Sequence, residues 1–236
     1  MDNRGNKWTG TLHTRKLIDV STIVFLYAHP DDESTNTSGT MAEAVSRGDR
    51  VVVVYATWGC AGSAPEGGES IRDCRVREAG DAASVIGLHR VEWLGYCDSG
   101  MTGWDQNHDE RSFWQATVDE AGARLASILD EEDADWLVGY DWHGGYGHPD
   151  HVKVHRVAHR AAELAARRPR VLEHTVNRDQ VRRTLLESGQ PAEEIEPFMP
   201  DNPMDDGNPM GTPEADIAHR VDVRHHLATK RAALEC

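Results

Sequence analysis

Two short apolar runs, separated by a helical segment, are the feature that most constrains the fold of this 236-residue chain. Ser21–Ala28 (STIVFLYA) and Val51–Thr57 (VVVVYAT) have the length of strands and lack polar alternation, which is typical of strands buried on both faces. A polar loop follows the first run, and then a helical stretch from about Gly39 to Arg47 stops at Gly48. This order predicts a βαβ unit, and therefore a parallel sheet.

The same alternation of strands and helices continues along the chain. Further elements are predicted as helices at Ser70–Ile86, Phe113–Leu129 and Pro149 to about Arg167, and as strands at Val91–Leu94, Asp135–Tyr140 and Val171–Val176. Six of the ten prolines fall within residues 190–213, which we interpret as a long loop or lid. We expect an N-terminal arm over residues 1–20 and a single α/β domain over residues 21–236, with helices on both faces of a mostly parallel sheet.

The charge balance argues against two classes of partner. The chain has 40 acidic residues against 25 lysines and arginines, for a net charge of −15, so non-specific binding to nucleic acid or to an anionic membrane is not expected. It contains no apolar run of about 18 residues, and Met1–Lys16 lacks the apolar middle of a secretory signal. The four cysteines are scattered without a Cys-x-x-Cys pair, which favours a reducing cytoplasm over a disulfide scaffold.

Two histidine motifs contain the residues that most strongly indicate a functional site. His-Pro-Asp-Asp-Glu at 29–33 directly follows the first predicted strand, and Gly-His-Pro-Asp-His at 147–151 follows the strand predicted at Asp135–Tyr140 and opens a helix. Either motif alone is typical of a structural turn or a helix cap. Together they stand at the carboxyl ends of two parallel strands, where open α/β sheets bind ligands. Two histidines and one carboxylate form a common catalytic zinc set, so we predict a shared metal site.

The motif pair resembles the paired signatures of the PIG-L/LmbE-like family of zinc-dependent N-acetylglucosaminyl deacetylases. The similarity spans approximately Ser21 to Asn177. It implies a Rossmann-like three-layer sandwich with its active site at the carboxyl ends of the strands. It also implies a metal-dependent hydrolase that removes an acetyl group from the amide nitrogen of an N-acetylglucosaminyl-type substrate, releasing acetate and a free amine.

The resemblance also implies roles for the residues of the two motifs. His29, Asp32 and His151 match the ligands of Zn²⁺, although Fe²⁺ also binds sets of two histidines and one carboxylate. Asp31 matches the general base that takes a proton from the attacking water. The substrate would be a small aminosugar compound.

Further residues match groups that contact the reacting amide or the sugar. His148 matches the residue that stabilises the oxyanion and protonates the leaving amine, and Tyr146 matches a tyrosine that hydrogen-bonds the oxyanion. Asp150 matches an acidic residue that orients a neighbouring histidine. Three positions match substrate-binding residues: Arg75, Asp98 and Met101. A turn stabilised by Asp98 and a solvated Arg75 are the alternative interpretations.

The sequence leaves several alternatives open. A mycothiol S-conjugate amidase is one, but Ser34–Thr37 lacks the lysine usual there. Trp58–Gly62 also lacks a glutamate common in the family. These departures fit a deacetylase of a secondary-metabolite aminosugar as well as one of an inositol-linked substrate. A nucleotide-binding module lacks its Gly-rich phosphate signature here. A metal-binding protein without turnover is disfavoured by the presence of Asp31 and His148. The oligomeric state stays open, with a homo-oligomer among the alternatives. His155 and His159 are interpreted as structural or surface residues, and the C-terminal histidines are unassigned.

Overall fold

A parallel five-stranded sheet forms the centre of the protein, whose computed structural model describes residues 20–62 and 68–236. The arm predicted for residues 1–20, apart from Val20, and residues 63–67 lie outside the described residues. The strands are Thr22–Tyr27 (β1), Arg50–Thr57 (β2), Arg90–Tyr96 (β3), Trp136–Tyr140 (β4) and Arg170–His174 (β5). Their order is β3-β2-β1-β4-β5, and every neighbouring pair is parallel. The predicted α/β fold is confirmed.

The strand order places a switch point between β1 and β4. The chain proceeds from β1 to β2 and β3 on one side of the sheet and then returns to β4 and β5 on the other. β1 and β4 are paired in parallel, with Phe25 opposite Val138. Connections leave these two strands in opposite directions, so a crevice opens at their carboxyl ends. The segments that follow β1 and β4 therefore lie close together at this crevice.

Helices cover the sheet on both sides. The α-helices of the described residues are Asp32–Asn36 (α1), Ser38–Ser46 (α2), Ile71–Ile86 (α3), Val118–Glu131 (α4), Pro149–Leu164 (α5), Arg178–Leu186 (α6), Ala192–Ile195 (α7) and Leu227–Leu234 (α8). Short 3-10 turns occupy Asp105–His108, Glu196–Phe198, Glu214–Asp216 and Arg224–His226. Helices α2, α3 and α8 pack together, and α4 packs against α5. Within the described ranges, no helix is long and apolar enough to cross a membrane.

The core lies along the central strands. Residues 24–28, at the end of β1, and 51–56 of β2 are at most 1% exposed. Full burial of a side chain such as Val or Leu stabilises a fold by about 1.5–3 kcal/mol, so these uninterrupted apolar runs supply much of the driving force. Because both faces of β1 and β2 are covered, their sequences show no polar alternation.

Three local expectations were wrong. The polar segment after β1 is not a loop, because Asp32–Asn36 forms α1. The helix predicted at Phe113 begins at Val118, since the Thr117 side chain accepts a hydrogen bond from the Glu120 amide and caps it there. Helix α6 was not predicted, and it buries none of its residues.

The proline-rich segment 190–213 packs on the loop that follows β4. It contains α7 and a 3-10 turn, and its remainder is irregular. The Gly211 amide donates to the carbonyl oxygen of Gly145 at 2.7 Å, and the Asp205 amide donates to that of Tyr146 at 3.1 Å. These backbone bonds connect the segment to the loop that carries the second histidine motif.

Replacing His174 should change the pH dependence of stability. Burial lowers the pKa of His174 to about 4, and its Nε2 atom is buried without a partner among the described residues. An unfolded histidine has a pKa near 6.5, so the unfolded chain binds a proton first and the free energy of unfolding falls between about pH 6.5 and pH 4. The partial exposure of this residue reduces the expected effect to about 2 kcal/mol, against roughly 3 kcal/mol for the full shift.

The measurement compares His174→Phe with the wild type in urea denaturation at pH 7.5 and pH 4.5. Phenylalanine cannot be protonated, so the variant should lose less stability than the wild type between these two pH values. An equal loss in both proteins would contradict the assignment.

Candidate active site

The turn after β1 presents two consecutive aspartates. Asp32 is the first residue of α1, and its Oδ2 atom accepts a hydrogen bond from the His29 amide at 2.9 Å. Asp31 precedes the helix with a φ of 108°, a conformation that is strained for a residue with a side chain. The Asp31 amide donates to Oε2 of the buried Glu33 at 3.1 Å, which holds the turn in this shape.

The loop after β4 brings His151 close to the backbone. Gly144 has a φ of 69°, and a Cβ atom there would lie 2.3 Å from the His151 Cβ, so only glycine fits. His151 Nδ1 donates to the Gly144 carbonyl oxygen at 3.1 Å. Pro149 opens α5, and the ring of His148 caps it by accepting from the Asp150 amide at 3.1 Å. The second motif therefore stands on the first turn of α5.

The two segments meet in a group that can hold a metal ion. His29, Asp32 and His151 each offer a ligand atom, and these atoms all lie within 4.8 Å of one another. Asp32 Oδ2 lies 3.3 Å from His29 Nδ1 and 3.4 Å from His151 Nε2. Two ligand atoms bonded tetrahedrally to one ion at about 2.0–2.1 Å are roughly 3.3 Å apart, so the three side chains fit a shared transition-metal ion.

In His29 and in His151, one ring nitrogen is hydrogen-bonded and the other is left available to bind a metal ion. His151 Nε2 is buried and has no hydrogen-bond partner among the described residues, while Nδ1 is used by the Gly144 carbonyl. His29 Nε2 lies 3.1 Å from Asp150 Oδ2, which leaves Nδ1 facing Asp32. A metal-binding histidine usually donates its other N–H to a carboxylate or a backbone carbonyl, as both rings do here.

Asp150 is itself held in place. Its Oδ2 accepts from the Ser99 amide at 3.0 Å, and its Oδ1 accepts from the Ser99 hydroxyl. Both residues are fully buried. The side chain of Asp150 thus orients His29, whereas only its backbone amide contacts His148.

The charges of the site are strongly coupled. Burial alone would raise the pKa of Asp32, but the neighbouring His151 and His29 hold it well below its usual range. Burial alone would lower the pKa of His29, but the carboxylates of Asp150, Asp32 and Asp98 raise it well above its usual range. A bound divalent cation would replace these protons as the counter-charge of the carboxylates.

A second, overlapping group consists of His29, Asp98 and His148. Asp98 Oδ1 lies 3.6 Å from His29 Nε2, but that nitrogen is closer to Asp150. The Asp98 carboxylate also accepts from the amides of Ala61 and Gly100 at 3.1 and 2.8 Å, and these bonds lower its pKa together with the contact to His29, against the effect of burial. The group containing Asp32 and His151 is therefore the better metal site.

Asp31 lies at the edge of the site and pairs with Arg75. Arg75 Nη1 donates to Asp31 Oδ2 at 2.6 Å and to the Pro30 carbonyl oxygen at 2.8 Å. The Asp31 side chain is 55% exposed. Desolvation and the adjacent Asp32 charge raise its pKa, and the guanidinium of Arg75 opposes that rise. Arg75 is therefore bonded to the predicted general base, Asp31. Within the described residues, it forms no hydrogen bond with Asp98 or Met101, the other two residues predicted to bind substrate.

His148 and Tyr146 pack against the two histidines of the candidate metal site. The ring centroid of His148 lies 4.7 Å from that of His29 and 4.9 Å from that of His151. The Tyr146 ring packs edge-on against His151 at 5.0 Å. Burial raises the pKa of Tyr146 to about 12, and burial together with the neighbouring histidines lowers that of His148 to about 4.

The other two residues predicted to bind substrate, Asp98 and Met101, lie on the segment that follows β3. Asp98 lies beside His29, and Met101 is half-buried in the turn that follows, where its carbonyl oxygen accepts from the Asn107 side chain at 3.2 Å. A cavity of about 520 Å³ opens next to the loop after β4, between Gly147 and Trp142. The exposed Trp142 ring therefore borders a space large enough for a sugar ring.

Three supporting residues were missed by the sequence analysis. Ser99 fixes Asp150, Glu33 holds the Asp31 amide, and Lys230 of α8 donates to the carbonyl oxygens at the end of α1 at 2.7 Å. Glu33 stood within the first motif, which was a signal. Ser99 lies 51 residues from Asp150, and Lys230 lies 196 residues from Ser34. No local sequence pattern therefore predicts either contact.

The fold and the site together define an α/β protein with a candidate mononuclear metal centre at the switch point of its sheet. A family model described as PIG-L: GlcNAc-PI de-N-acetylase matches residues 24–162 of the sequence. The match includes both histidine motifs and covers more than half of the chain. The protein belongs to the PIG-L family.

Curated relatives share substantial sequence identity with the chain. A 1D-myo-inositol 2-acetamido-2-deoxy-alpha-D-glucopyranoside deacetylase from Streptomyces avermitilis is 41% identical over 157 residues, covering 61% of this chain and 53% of the relative. A protein of the same description from Thermobispora bispora is 35% identical over 234 residues, covering 90% of this chain and 76% of the relative. The alignment thus spans only about half the length of the first of these relatives.

Solved structures share the fold at low sequence identity. The N,N'-diacetylchitobiose deacetylase from Pyrococcus horikoshii superposes with a TM-score of 0.58 at 19% identity, covering 92% of this chain and 69% of that one. The 4-carboxy-2-hydroxymuconate hydratase from Pseudomonas putida superposes with a TM-score of 0.54 at 18% identity, covering 92% and 78%. Because a hydratase shares the architecture, the fold alone does not define the reaction.

Replacing Asp150 should weaken metal binding although its carboxylate is not one of the three ligands. Asparagine keeps the shape but loses the charge that orients His29, and loss of such an outer contact typically costs about 10–100-fold in metal affinity. The measurement is a Zn²⁺ competition titration of Asp150→Asn. The exposed Asp81→Asn serves as the control, and equal affinity of both variants would contradict the role of Asp150.

Proposed function

We propose that this protein is a zinc-dependent N-deacetylase that hydrolyses the acetamido group of a small N-acetylglucosaminyl-type substrate. The observation that carries the proposal is the position of Asp31, directly beside the group formed by His29, Asp32 and His151. Membership of the PIG-L family supports the reaction type. The description of the curated relatives makes an N-acetylglucosaminyl inositol the first substrate to test.

The three ligands would hold Zn²⁺ through His29 Nδ1, Asp32 Oδ2 and His151 Nε2. When bound, the ion supplies Lewis acidity that lowers the pKa of a water molecule and polarises the amide carbonyl. Neutral imidazoles and one carboxylate leave such a site with net positive charge, which suits this chemistry. The nitrogen-rich ligand set also suits Fe²⁺, so the metal of the native protein is part of the proposal.

Asp31 acts as the general base. Its carboxylate reaches the site from the strained turn before α1, and Arg75 fixes one of its oxygens. The other oxygen takes the proton of the attacking water. The carboxylate must be ionised to do this, and the Arg75 guanidinium favours the ionised form.

His148 and Tyr146 stabilise the charge that develops on the amide oxygen. His148 Nδ1 accepts from the Asp150 amide, so the neutral ring carries its proton on Nε2 and can donate it. The raised pKa of Tyr146 keeps its hydroxyl protonated, so it can donate as well. Donors that are already in place before charge develops lower the barrier most effectively. The leaving nitrogen must then receive a proton, and we assign its donation to His148.

The substrate assay distinguishes the proposed activity from its closest alternatives. The zinc-loaded protein is incubated with an N-acetylglucosaminyl inositol, with N,N'-diacetylchitobiose and with a mycothiol S-conjugate, and both acetate and primary amine are measured. Deacetylation releases the two in equal amounts. Amine without acetate from the S-conjugate would favour an amidase, and no release from any substrate would contradict the proposal.

Removal of the Asp31 carboxylate should abolish most turnover but spare the metal. General-base catalysis contributes about 10²–10⁴-fold, so Asp31→Asn should lower kcat by at least about 100-fold. The zinc content should stay the same, because Asp31 is outside the ligand group. Asp81→Asn, an exposed change of the same type, is the control. Near-normal turnover of a folded, zinc-loaded Asp31→Asn would show that the base is another residue.

Arg75 offers a test of how the base is held. If Arg75 acts through Asp31, then Arg75→Gln should lower kcat by a similar factor for substrates with and without a second ring. If Arg75 instead binds substrate, as the family resemblance implies, and does so at a second ring, KM should rise only for the substrate that has this ring. Arg77→Gln, on the same helix but paired with Glu69, is the matched control.

A further inference from the structure

A second cluster of metal-binding side chains lies outside the candidate active site. His155 and His159 lie on α5, and Glu173 lies on the edge strand β5. The three residues each offer a ligand atom, and these atoms lie within 4.8 Å of one another. None of them belongs to the group around Asp31. We propose that His155, His159 and Glu173 form a second binding site for a divalent transition-metal ion.

The spacing of the two histidines brings them together. Residues four apart on an α-helix lie on the same face, one turn apart. The ring centroids of His155 and His159 are 4.7 Å apart. The preceding residue of this series is His151, so the cluster begins one turn beyond the first site. His151 is not part of this cluster, because its ligand atom Nε2 faces Asp32 and is grouped with His29 and Asp32 instead.

Glu173 completes a two-histidine, one-carboxylate set. Its Oε1 atom lies 2.8 Å from His159 Nε2 and 3.4 Å from His155 Nδ1. These separations lie on either side of the roughly 3.3 Å expected between two ligand atoms of a tetrahedral ion. An ion would take the place of the proton that now links His159 to the carboxylate. His155 Nδ1 also lies 3.3 Å from the Tyr140 carbonyl oxygen, so an ion would replace that hydrogen bond as well.

The exposure of the cluster suits an ion with open coordination positions. The side chains of His155, His159 and Glu173 are 22%, 45% and 37% exposed. Water can therefore complete the coordination shell. Imidazole nitrogens favour Zn²⁺, Ni²⁺, Cu²⁺ or Co²⁺, whereas Mg²⁺ and Ca²⁺ prefer sites made of oxygen. The proposed ligand is accordingly a transition-metal ion.

The site would join two elements that otherwise meet through packing. Helix α5 carries His148 and His151 on its first turn, and β5 is the outermost strand of the sheet next to β4. An ion held by both elements would be bound by the folded chain and not by the unfolded one. Such an ion stabilises the folded chain, and the stabilisation grows with the logarithm of its free concentration once that exceeds the dissociation constant.

The test counts metal ions by site. Chelator-treated wild type is dialysed against Zn²⁺ at pH 7.5, and bound metal is measured by elemental analysis. We expect two ions per chain in the wild type and one in His159→Gln. The dissociation constant of the second ion should be at least tenfold higher in this variant than in the wild type. Glu173→Gln should also lose the second ion, and its smaller change protects against misfolding. His225→Gln, which removes an exposed histidine outside the cluster, should keep two.

Activity and thermal stability provide further readouts. His159→Gln should keep its deacetylase rate, because the cluster is remote from Asp31, but should gain less melting temperature from excess Zn²⁺ than the wild type. The second site does not depend on the proposed function: an ion lost in His159→Gln but retained in Asp32→Asn supports it even if no deacetylation is found. Equal zinc content and affinity in His159→Gln and the wild type would overturn the proposal.

Discussion

The contact between Asp32 and His151 holds together the parts of the molecule that the chemistry needs. One residue opens the short helix after β1, and the other lies on the first turn of the helix after β4. Their side chains meet only because β1 and β4 are neighbours at the switch point of the sheet. The pairing of two strands that are more than a hundred residues apart therefore determines whether a metal site exists at all.

The site concentrates negative charge in a buried place, and each carboxylate has its own compensation. Asp32 faces two imidazoles, Asp150 is held by Ser99, and Asp98 accepts two backbone amides. Asp31 is balanced by Arg75 from α3. Unpaired buried charges are costly, so this arrangement is stable only when each carboxylate keeps a positive or donating neighbour. A bound cation adds to that balance and draws the ligands together.

The sequence was sufficient for the parts of the fold that depend on local pattern. The apolar runs of β1 and β2 identified buried parallel strands, and Pro149 marked the start of α5 where the structure has it. The meeting of the two histidine motifs followed from the rule that ligands bind at the carboxyl ends of such strands. These features depend on periodicity, helix caps and topology, all of which are present in the linear sequence.

The remaining features depend on tertiary contacts that the sequence does not display. Helix α1 is too short and polar to be recognised by periodicity, and Ser99 became visible as the support of Asp150 only in three dimensions. Arg75 was interpreted through the family resemblance as a substrate contact, whereas the structure shows it bonded to Asp31. His155 and His159 were interpreted as structural or surface residues, whereas the structure shows them beside Glu173 on a different element. In each case the decisive neighbour is distant along the chain.

The bond from Lys230 to the end of α1 has a consequence for how the protein is made. The last carbonyl groups of a helix have no partner within the helix, and here an ammonium group 196 residues away supplies one. At about 5–20 residues per second, a ribosome needs roughly 10–40 s to add that many residues. During this interval the turn that carries Asp31 and Asp32 has been synthesised, but the bond from Lys230 to α1 cannot yet form. Until α8 has been synthesised, the candidate active site therefore lacks this support.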